Sequence, residues 1–153
     1  RFYHLISPEL KILSFNKITK DFYKNNFDIE LDEGAYILDY CSLINCEIYN
    51  NKTFGDWAIG GGVFCSGGSL INCLVYNNIA QGYGAKGGGV YAKLGASIIN
   101  CTVANNSSTG YTSEGGGIYA NAQYNPVILS NSIIWGNKIN DINNSLNFFK
   151  CFI

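Results

Sequence analysis

Hydrophobic and polar positions along the chain recur at a nearly constant interval. Three glycine triplets, each followed by a β-branched residue and then an aromatic ring, mark the repeat and begin at Gly60, Gly87 and Gly115. The spacing between these triplets predicts a stack of similar units, because each unit can bury its apolar face only against its neighbours.

A second phrase comes into register when the glycine triplets are aligned, at residues 43–51, 70–78, 98–106 and 129–137. It consists of β-branched and aromatic residues bounded by Gly and Asn, which predicts short β-strands. Because side chains alternate between the two faces of a strand, one face carries only small or β-branched uncharged residues and is expected to point into the core. These residues are Cys46, Ile48, Cys73, Val75, Cys101, Val103, Ser132 and Ile134.

Two columns of asparagine lie at or near the ends of these strands. Asparagine tolerates a left-handed backbone, and its amide can bond to the amide one coil away, so both columns are expected to form stacked corners. The columns are Asn45, Asn72, Asn100 and Asn131, and Asn51, Asn78, Asn106 and Asn137.

Together these features predict an all-β fold over residues 34–137, a right-handed single-stranded parallel β-helix of about four coils. We expect the chain to turn three times per coil, and the hand follows because parallel crossovers are almost always right-handed.

The phrases at residues 87–91, 100–106 and 131–137 closely resemble right-handed parallel β-helix repeat proteins of the pectin-lyase-like superfold, over about two thirds of the chain. The pairing of Gly-Gly-Gly-[Val/Ile] with a later Asn is similar to the repeats of chlamydial polymorphic outer membrane proteins and of many bacterial surface proteins. Those repeats usually carry Gly-Gly-Ala-Ile and Phe-x-x-Asn, and this chain departs from both. The resemblance implies an extracellular or cell-surface location.

The two ends lie outside the regular repeat. Residues 1–33 are expected to form an N-terminal cap, in which Ser7 and Pro8 begin a helix and residues 28–33 form an acidic edge strand. An unrelated linker is the alternative for the helix. Residues 138–153 are expected to be the irregular and truncated start of a further coil.

Composition narrows the choice of partner. The chain has 153 residues, of which 47% are hydrophobic and 14% charged, with a formal net charge of -1. We therefore expect one core and no nucleic-acid partner, since such binding needs clustered Lys and Arg. No run of 18 apolar residues occurs, so this segment is not expected to insert in a membrane. The chain has no Met and starts on Arg1, so we expect it to be a piece of a longer protein.

No catalytic, metal or cofactor site is expected from the residues. Glycoside hydrolases and calcium-assisted polysaccharide lyases need clustered carboxylates, yet no two acidic residues share a column of the repeat. His4 has no partner in sequence, and Glu114 aligned with Lys86 predicts a surface ion pair. Cys46, Cys73 and Cys101 share a core column with Ser132, which predicts buried free thiols, with oxidation of one adjacent pair as the alternative.

Aromatic residues in the loops form one candidate ligand-binding surface. Trp57, Tyr83 and Tyr111 lie in loops beside glycines and are the candidate ligand-binding residues, with packing among themselves as the alternative. A second set, beside the glycine triplets, is predicted to form a packed ladder of rings. This set is Phe64, Tyr91 and Tyr119.

The expected function is therefore a non-catalytic secreted or cell-surface module with an adhesive, structural or glycan-contacting role. Surface glycans and host or cell-surface proteins are the expected partners. The alternative is a fragment of a polysaccharide lyase or glycoside hydrolase whose catalytic coils lie outside this chain, and a purely structural stalk is a third option.

Overall fold

The computed structural model describes residues 42–138 and, as backbone alone, four short strands outside that range. The described part of the chain is built from short β-strands and contains no helix, and hence none long and apolar enough to cross a membrane. The strands are β1 (Ile12–Ser14), β2 (Tyr36–Asp39), β3 (Ser42–Ile44), β4 (Glu47–Tyr49), β5 (Lys52–Phe54), β6 (Val63–Ser66), β7 (Ser69–Ile71), β8 (Leu74–Tyr76), β9 (Ile79–Gln81), β10 (Val90–Lys93), β11 (Ser97–Ile99), β12 (Thr102–Ala104), β13 (Ser107–Thr109), β14 (Ile118–Asn121), β15 (Val127–Ser130), β16 (Ile133–Trp135), β17 (Ile142–Asn143) and β18 (Leu146–Phe149).

The strands stack into four parallel sheets, and the coils that begin at β2, β6 and β10 pass through all four in turn. Sheet I contains β2, β6, β10, β14 and β17; sheet II contains β1, β3, β7, β11, β15 and β18; sheet III contains β4, β8, β12 and β16; sheet IV contains β5, β9 and β13. The predicted all-β parallel β-helix is therefore confirmed, with about three complete turns and a partial fourth. The predicted three-sided coil is wrong, because sheet IV adds a fourth side.

The register of the sheets follows the period of the sequence. Val90 pairs with Val63, its equivalent in the preceding repeat, and with Ile118, its equivalent in the following repeat. Each repeated phrase therefore lies directly above its equivalent in the coil below, and equivalent residues form continuous columns.

One continuous core runs inside the stack. The residues predicted to face it are buried, with exposed fractions of 0–3% for Cys46, Ile48, Cys73, Val75, Cys101, Val103, Ser132 and Ile134. Sheet I adds Val63, Val90 and Ile118, and sheet II adds Leu43 and Leu70. Because each coil buries its apolar side chains against the next, we expect the coils to stabilise one another rather than fold separately.

The two asparagine columns have different roles. Asn45, Asn72, Asn100 and Asn131 (the corner asparagines) adopt left-handed φ values of 49–56°, as predicted. At the next corner the prediction is wrong by one residue, because the left-handed positions are Asn50, Asn77, Asn105 and Gly136. The asparagines that follow them turn inward instead.

These inward residues, Asn51, Asn78, Asn106 and Asn137, form a hydrogen-bonded asparagine ladder. The backbone N–H and the side-chain Nδ2 of Asn78 both donate to Oδ1 of Asn106, at 2.9 and 3.0 Å. Nδ2 of Asn78 also donates to the carbonyl of Ile48 at 2.9 Å. The predicted amide-to-amide bonding between coils is confirmed, and it satisfies polar groups that are buried from water.

The glycine triplets lie where neighbouring backbones touch. A Cβ added to Gly88 would come within 2.3 Å of the carbonyl of Ser107 and 2.4 Å of the carbonyl oxygen of Gly116. No side chain fits in that space, so the glycine requirement at this position is steric.

Within the predicted N-terminal cap, the structure describes only strand β1. Strand β1, which lies within the predicted capping helix, is extended and pairs in parallel with β3. A helix over these three residues is therefore wrong; the rest of that segment, with the acidic edge strand at 28–33, His4, Cys41 and Cys151, lies outside the described residues. At the other end, β17 pairs with β14 and β18 pairs with β15.

Candidate functional site

Each coil closes with a loop that joins sheet IV to sheet I, and these closing loops stack on one another. They comprise residues 55–62, 82–89 and 110–117. The N–H of Trp57 donates to the carbonyl of Tyr83 at 2.7 Å, and the N–H of Gly84 donates to that of Tyr111 at 2.9 Å. Because backbone hydrogen bonds hold the loops in register, they present their outer side chains in a fixed order.

The three predicted ligand-binding residues come together on these loops. Trp57, Tyr83 and Tyr111 are 63%, 47% and 77% exposed, and we call them the aromatic row. Tyr83 and Tyr111 stack with ring centroids 5.9 Å apart and planes 26° apart. Trp57 and Tyr83 are 5.5 Å apart with planes at 82°. The residues therefore form one exposed surface that extends over three successive coils.

The indole of Trp57 lies over the next coil because that coil has a glycine beneath it. A Cβ on Gly84 would approach within 2.6 Å of two carbons of the indole. One side of the indole therefore packs on backbone, while most of the side chain remains in solvent. The prediction of Trp57 as a candidate does not include this packing, which follows from the register because Gly84 is the equivalent of Trp57 in the next coil.

The second aromatic set packs as predicted and is not an exposed surface. Phe64, Tyr91 and Tyr119 are 7–9% exposed and stack at centroid distances of 5.3 and 5.2 Å. The closing loops cover these rings through Ile59 and Lys86. This ring ladder stabilises the outer face of sheet I, with stacking contributions of about 0.5–1.5 kcal/mol per pair.

Lys86 joins the ring ladder to the closing loops. Its Nζ lies 3.0 Å from the hydroxyl oxygen of Tyr119 and 3.5 Å from a carboxylate oxygen of Glu114. The hydrogen bond with Tyr119 raises the pKa of Lys86 above its usual value, and the charge of Glu114 acts in the same direction. The predicted ion pair is confirmed; the sequence does not predict the contact with Tyr119, since the two residues lie in different coils and different columns.

The observed register keeps acidic residues apart in the described sheets. Glu47 pairs with Leu74, and Leu74 with Thr102. Asp39 pairs with Ser66, and Ser66 with Lys93. Among residues 42–138 no group of three or more His, Cys, Asp or Glu side chains is placed to hold a metal ion. The described columns therefore contain no carboxylate pair suited to glycoside hydrolysis.

The cysteine column consists of free buried thiols, as predicted for Cys46, Cys73 and Cys101. Sγ of Cys101 accepts a hydrogen bond from the N–H of Cys73 at 3.4 Å, and Oγ of Ser132 accepts one from the N–H of Cys101 at 3.1 Å. The side-chain hydrogen bond between the two cysteines raises the pKa of Cys73 to about 11 and lowers that of Cys101. Sulfur and hydroxyl oxygen thus have the same structural role in successive coils.

This equivalence gives a direct prediction for Cys101. The Cys101→Ser variant is expected to change the free energy of unfolding by less than about 1 kcal/mol, because a hydroxyl can accept the same bond. Cys101→Ala is expected to cost about 1–3 kcal/mol, because the buried N–H of Cys73 loses its acceptor. Urea denaturation of both variants measures the difference. Equal losses for serine and alanine would contradict the structural role assigned to the thiol.

One further concave feature lies at the corner between sheets II and III. A groove of about 450 Å³ is lined by Asn45, Asn72 and Asn100 together with Glu47, Leu74 and Thr102. Nδ2 of Asn72 donates to Oδ1 of Asn45 at 3.2 Å across its edge. The corner asparagines predict the bend but not the groove, whose shape depends on the angle between the sheets.

Comparisons of the chain with models of protein families, with curated proteins and with solved structures find no match. The assignment of a function therefore rests on the geometry of the described residues.

Proposed function

We propose that this chain is a non-catalytic module of a secreted or cell-surface β-helix protein of the pectin-lyase-like type, and that it contacts glycans through the aromatic row. In this proposal the stacked coils are a rigid support, and the closing loops carry the contact surface. The repeat phrases, which are similar to those of bacterial surface proteins, support this placement.

The observation that carries the proposal is the exposure of three neighbouring aromatic side chains. Trp57, Tyr83 and Tyr111 are 47–77% exposed although each offers a large apolar surface. Contiguous exposed apolar groups commonly mark interaction sites. Aromatic rings with polar tips suit a ligand that combines C–H groups with hydroxyls, because the ring faces attract C–H groups and the tips form hydrogen bonds.

Rigidity of the support favours binding over catalysis at this surface. The closing loops are fixed by hydrogen bonds between coils, including those from the N–H groups of Gly60 and Gly61 to the carbonyls of Lys86 and Gly87, each at 2.9 Å. A preformed surface loses little conformational entropy on binding, so weak stacking contacts can contribute more of their energy to affinity. Of the acidic residues on the closing loops, Glu114 is paired with Lys86, and Asp56 lies two coils away from it.

A glycan array probed with the purified chain tests this proposal. We expect binding to a subset of glycans, a loss of at least about tenfold in affinity for Trp57→Ala, and a smaller loss for Tyr83→Ala. Trp135→Ala is the matched control, because Trp135 is 61% exposed and lies on sheet III, outside the aromatic row. Absence of binding to any glycan, or equal binding by all variants, would contradict the proposal.

A further inference from the structure

The rings of the aromatic row do not offer equivalent faces to a ligand. The faces of Tyr83 and Tyr111 that point towards each other are occupied, because the rings stack at 5.9 Å. Trp57 contacts Tyr83 from the preceding coil, with planes at 82° and centroids 5.5 Å apart. Tyr83 therefore has a ring neighbour in each adjacent coil and is the least exposed ring of the row, at 47%.

Trp57 is different because its ring plane is nearly perpendicular to that of its neighbour, whereas the two tyrosine rings stack. Its indole lies against the backbone of Gly84, and the side chain remains 63% exposed. The exposed indole is therefore a flat surface separate from the stacked pair of tyrosines. The perpendicular ring of Tyr83 stands beside it.

An acidic residue adjoins Trp57 in the same closing loop. Asp56 precedes Trp57 and is exposed. In the register of the closing loops, Asp56 occupies the position that Tyr83 and Tyr111 occupy in the following coils. The first coil therefore offers a carboxylate where the others offer rings, and carboxylates form strong charge-assisted hydrogen bonds with hydroxyl donors.

Because the three rings do not share one plane, we infer that the aromatic row binds a single pyranose unit, stacked on the exposed indole of Trp57 and bordered by Tyr83 and Asp56, and does not bind a glycan chain laid along all three rings. This inference rests on the proposed glycan-binding function and specifies its ligand. The C–H face of the pyranose lies on the indole, and hydroxyls at its edge donate to the carboxylate of Asp56. Tyr111 supports Tyr83 from behind and does not touch the sugar.

Titrations with sugars of increasing length test the inference. The probes are methyl β-pyranosides of glucose, galactose and N-acetylglucosamine, and β-1,4-linked oligomers of the same sugars up to hexamers. Chemical shifts of the two indole N–H groups in NMR spectra report binding, because Trp57 belongs to the row and Trp135 does not. For at least one sugar we expect the Trp57 signal alone to move, with affinities that differ by less than about twofold between monomer and hexamer.

Variants separate this inference from the broader proposal. Trp57→Ala is expected to weaken binding at least about tenfold and Asp56→Asn about threefold or more, whereas Tyr111→Ala stays within about twofold of the parent chain. Tyr124→Ala, which removes a 75% exposed ring outside the row, is the control. Affinity that rises steeply with oligomer length, together with equal losses for Trp57→Ala and Tyr111→Ala, would overturn the single-pyranose inference while leaving glycan binding intact. Absence of binding by every sugar would overturn both.

Discussion

Replacement of Asn78 by alanine is expected to lower the free energy of unfolding by about 4 kcal/mol, a large part of the roughly 5–15 kcal/mol typical of a folded domain. Asn78 is fully buried in the asparagine ladder. Its Oδ1 accepts bonds from the N–H and the Nδ2 of Asn51, and its Nδ2 donates to Ile48 and Asn106. The variant loses four buried hydrogen bonds at once, at about 1 kcal/mol each. Chemical denaturation of the parent chain and the variant measures the loss.

The matched control for this prediction is Asn72→Gly in the column of corner asparagines. Asn72 also bonds to an asparagine one coil away, but this pair is exposed, and glycine readily adopts the φ of 55° found there. The control is expected to lose less than about 1 kcal/mol, since water can replace an exposed hydrogen bond. If the control is as destabilised as Asn78→Ala, burial does not increase the contribution of the ladder's hydrogen bonds to stability.

The second large effect is expected for Gly88→Ala, which should cost at least about 3 kcal/mol or prevent folding. A methyl group at Gly88 would overlap backbone atoms of Ser107 and Gly116, which belong to the next coil. Backbone cannot move aside without breaking the hydrogen bonds from Gly88 and Gly89 to the carbonyls of Gly115 and Gly116. Thermal unfolding followed by circular dichroism measures the change.

Gly95→Ala separates crowding from backbone strain. Gly95 has a φ of 76°, which alanine adopts with difficulty, but an added Cβ there would meet Asn125 only at 3.4 Å, an ordinary contact. The strain is expected to cost about 1–2 kcal/mol. If Gly95→Ala proves as damaging as Gly88→Ala, close approach of the coils is not the reason for the glycine triplets.

Features that depend on the repeat alone could be predicted from the sequence. The core column from Cys46 to Ile134 follows from strand alternation, because a buried face needs the same kind of residue in every coil. The corner asparagines follow from their shared column and their tolerance of a left-handed backbone. The ring ladder of Phe64, Tyr91 and Tyr119 follows for the same reason: equivalent residues must stack.

Features set by angles and long-range contacts could not be predicted in this way. The sequence does not reveal sheet IV, because its strands, such as Lys52–Phe54 and Ser107–Thr109, share no apolar pattern and are defined by pairing between coils. The helix expected across β1 rests on a local start signal, whereas the observed strand depends on pairing with residues 42–44. The inward turn of Asn78 depends on the left-handed residue before it, Asn77.

At the candidate site, too, some features follow from the repeat and others depend on angles between side chains. Position in the loops was enough to predict Trp57, Tyr83 and Tyr111 as exposed candidates, since loops at fixed points of a stack lie near one another. The angles between their rings were not predictable, because position in the repeat does not determine side-chain rotamers. Residues that vary between coils thus decide what the surface offers, while repeated residues hold the coils together.

Nuclear Overhauser contacts between aromatic rings test the in-register stack most directly. The structure predicts cross-peaks from the ring of Tyr91 to the rings of both Phe64 and Tyr119, whose centroids lie 5.3 and 5.2 Å away. These residues lie a full repeat away from Tyr91 in the sequence, so no local structure can bring them together. Observation of both contacts would establish the stacking of successive coils. A Tyr91 ring in contact with neither residue would contradict the parallel β-helix described for this chain.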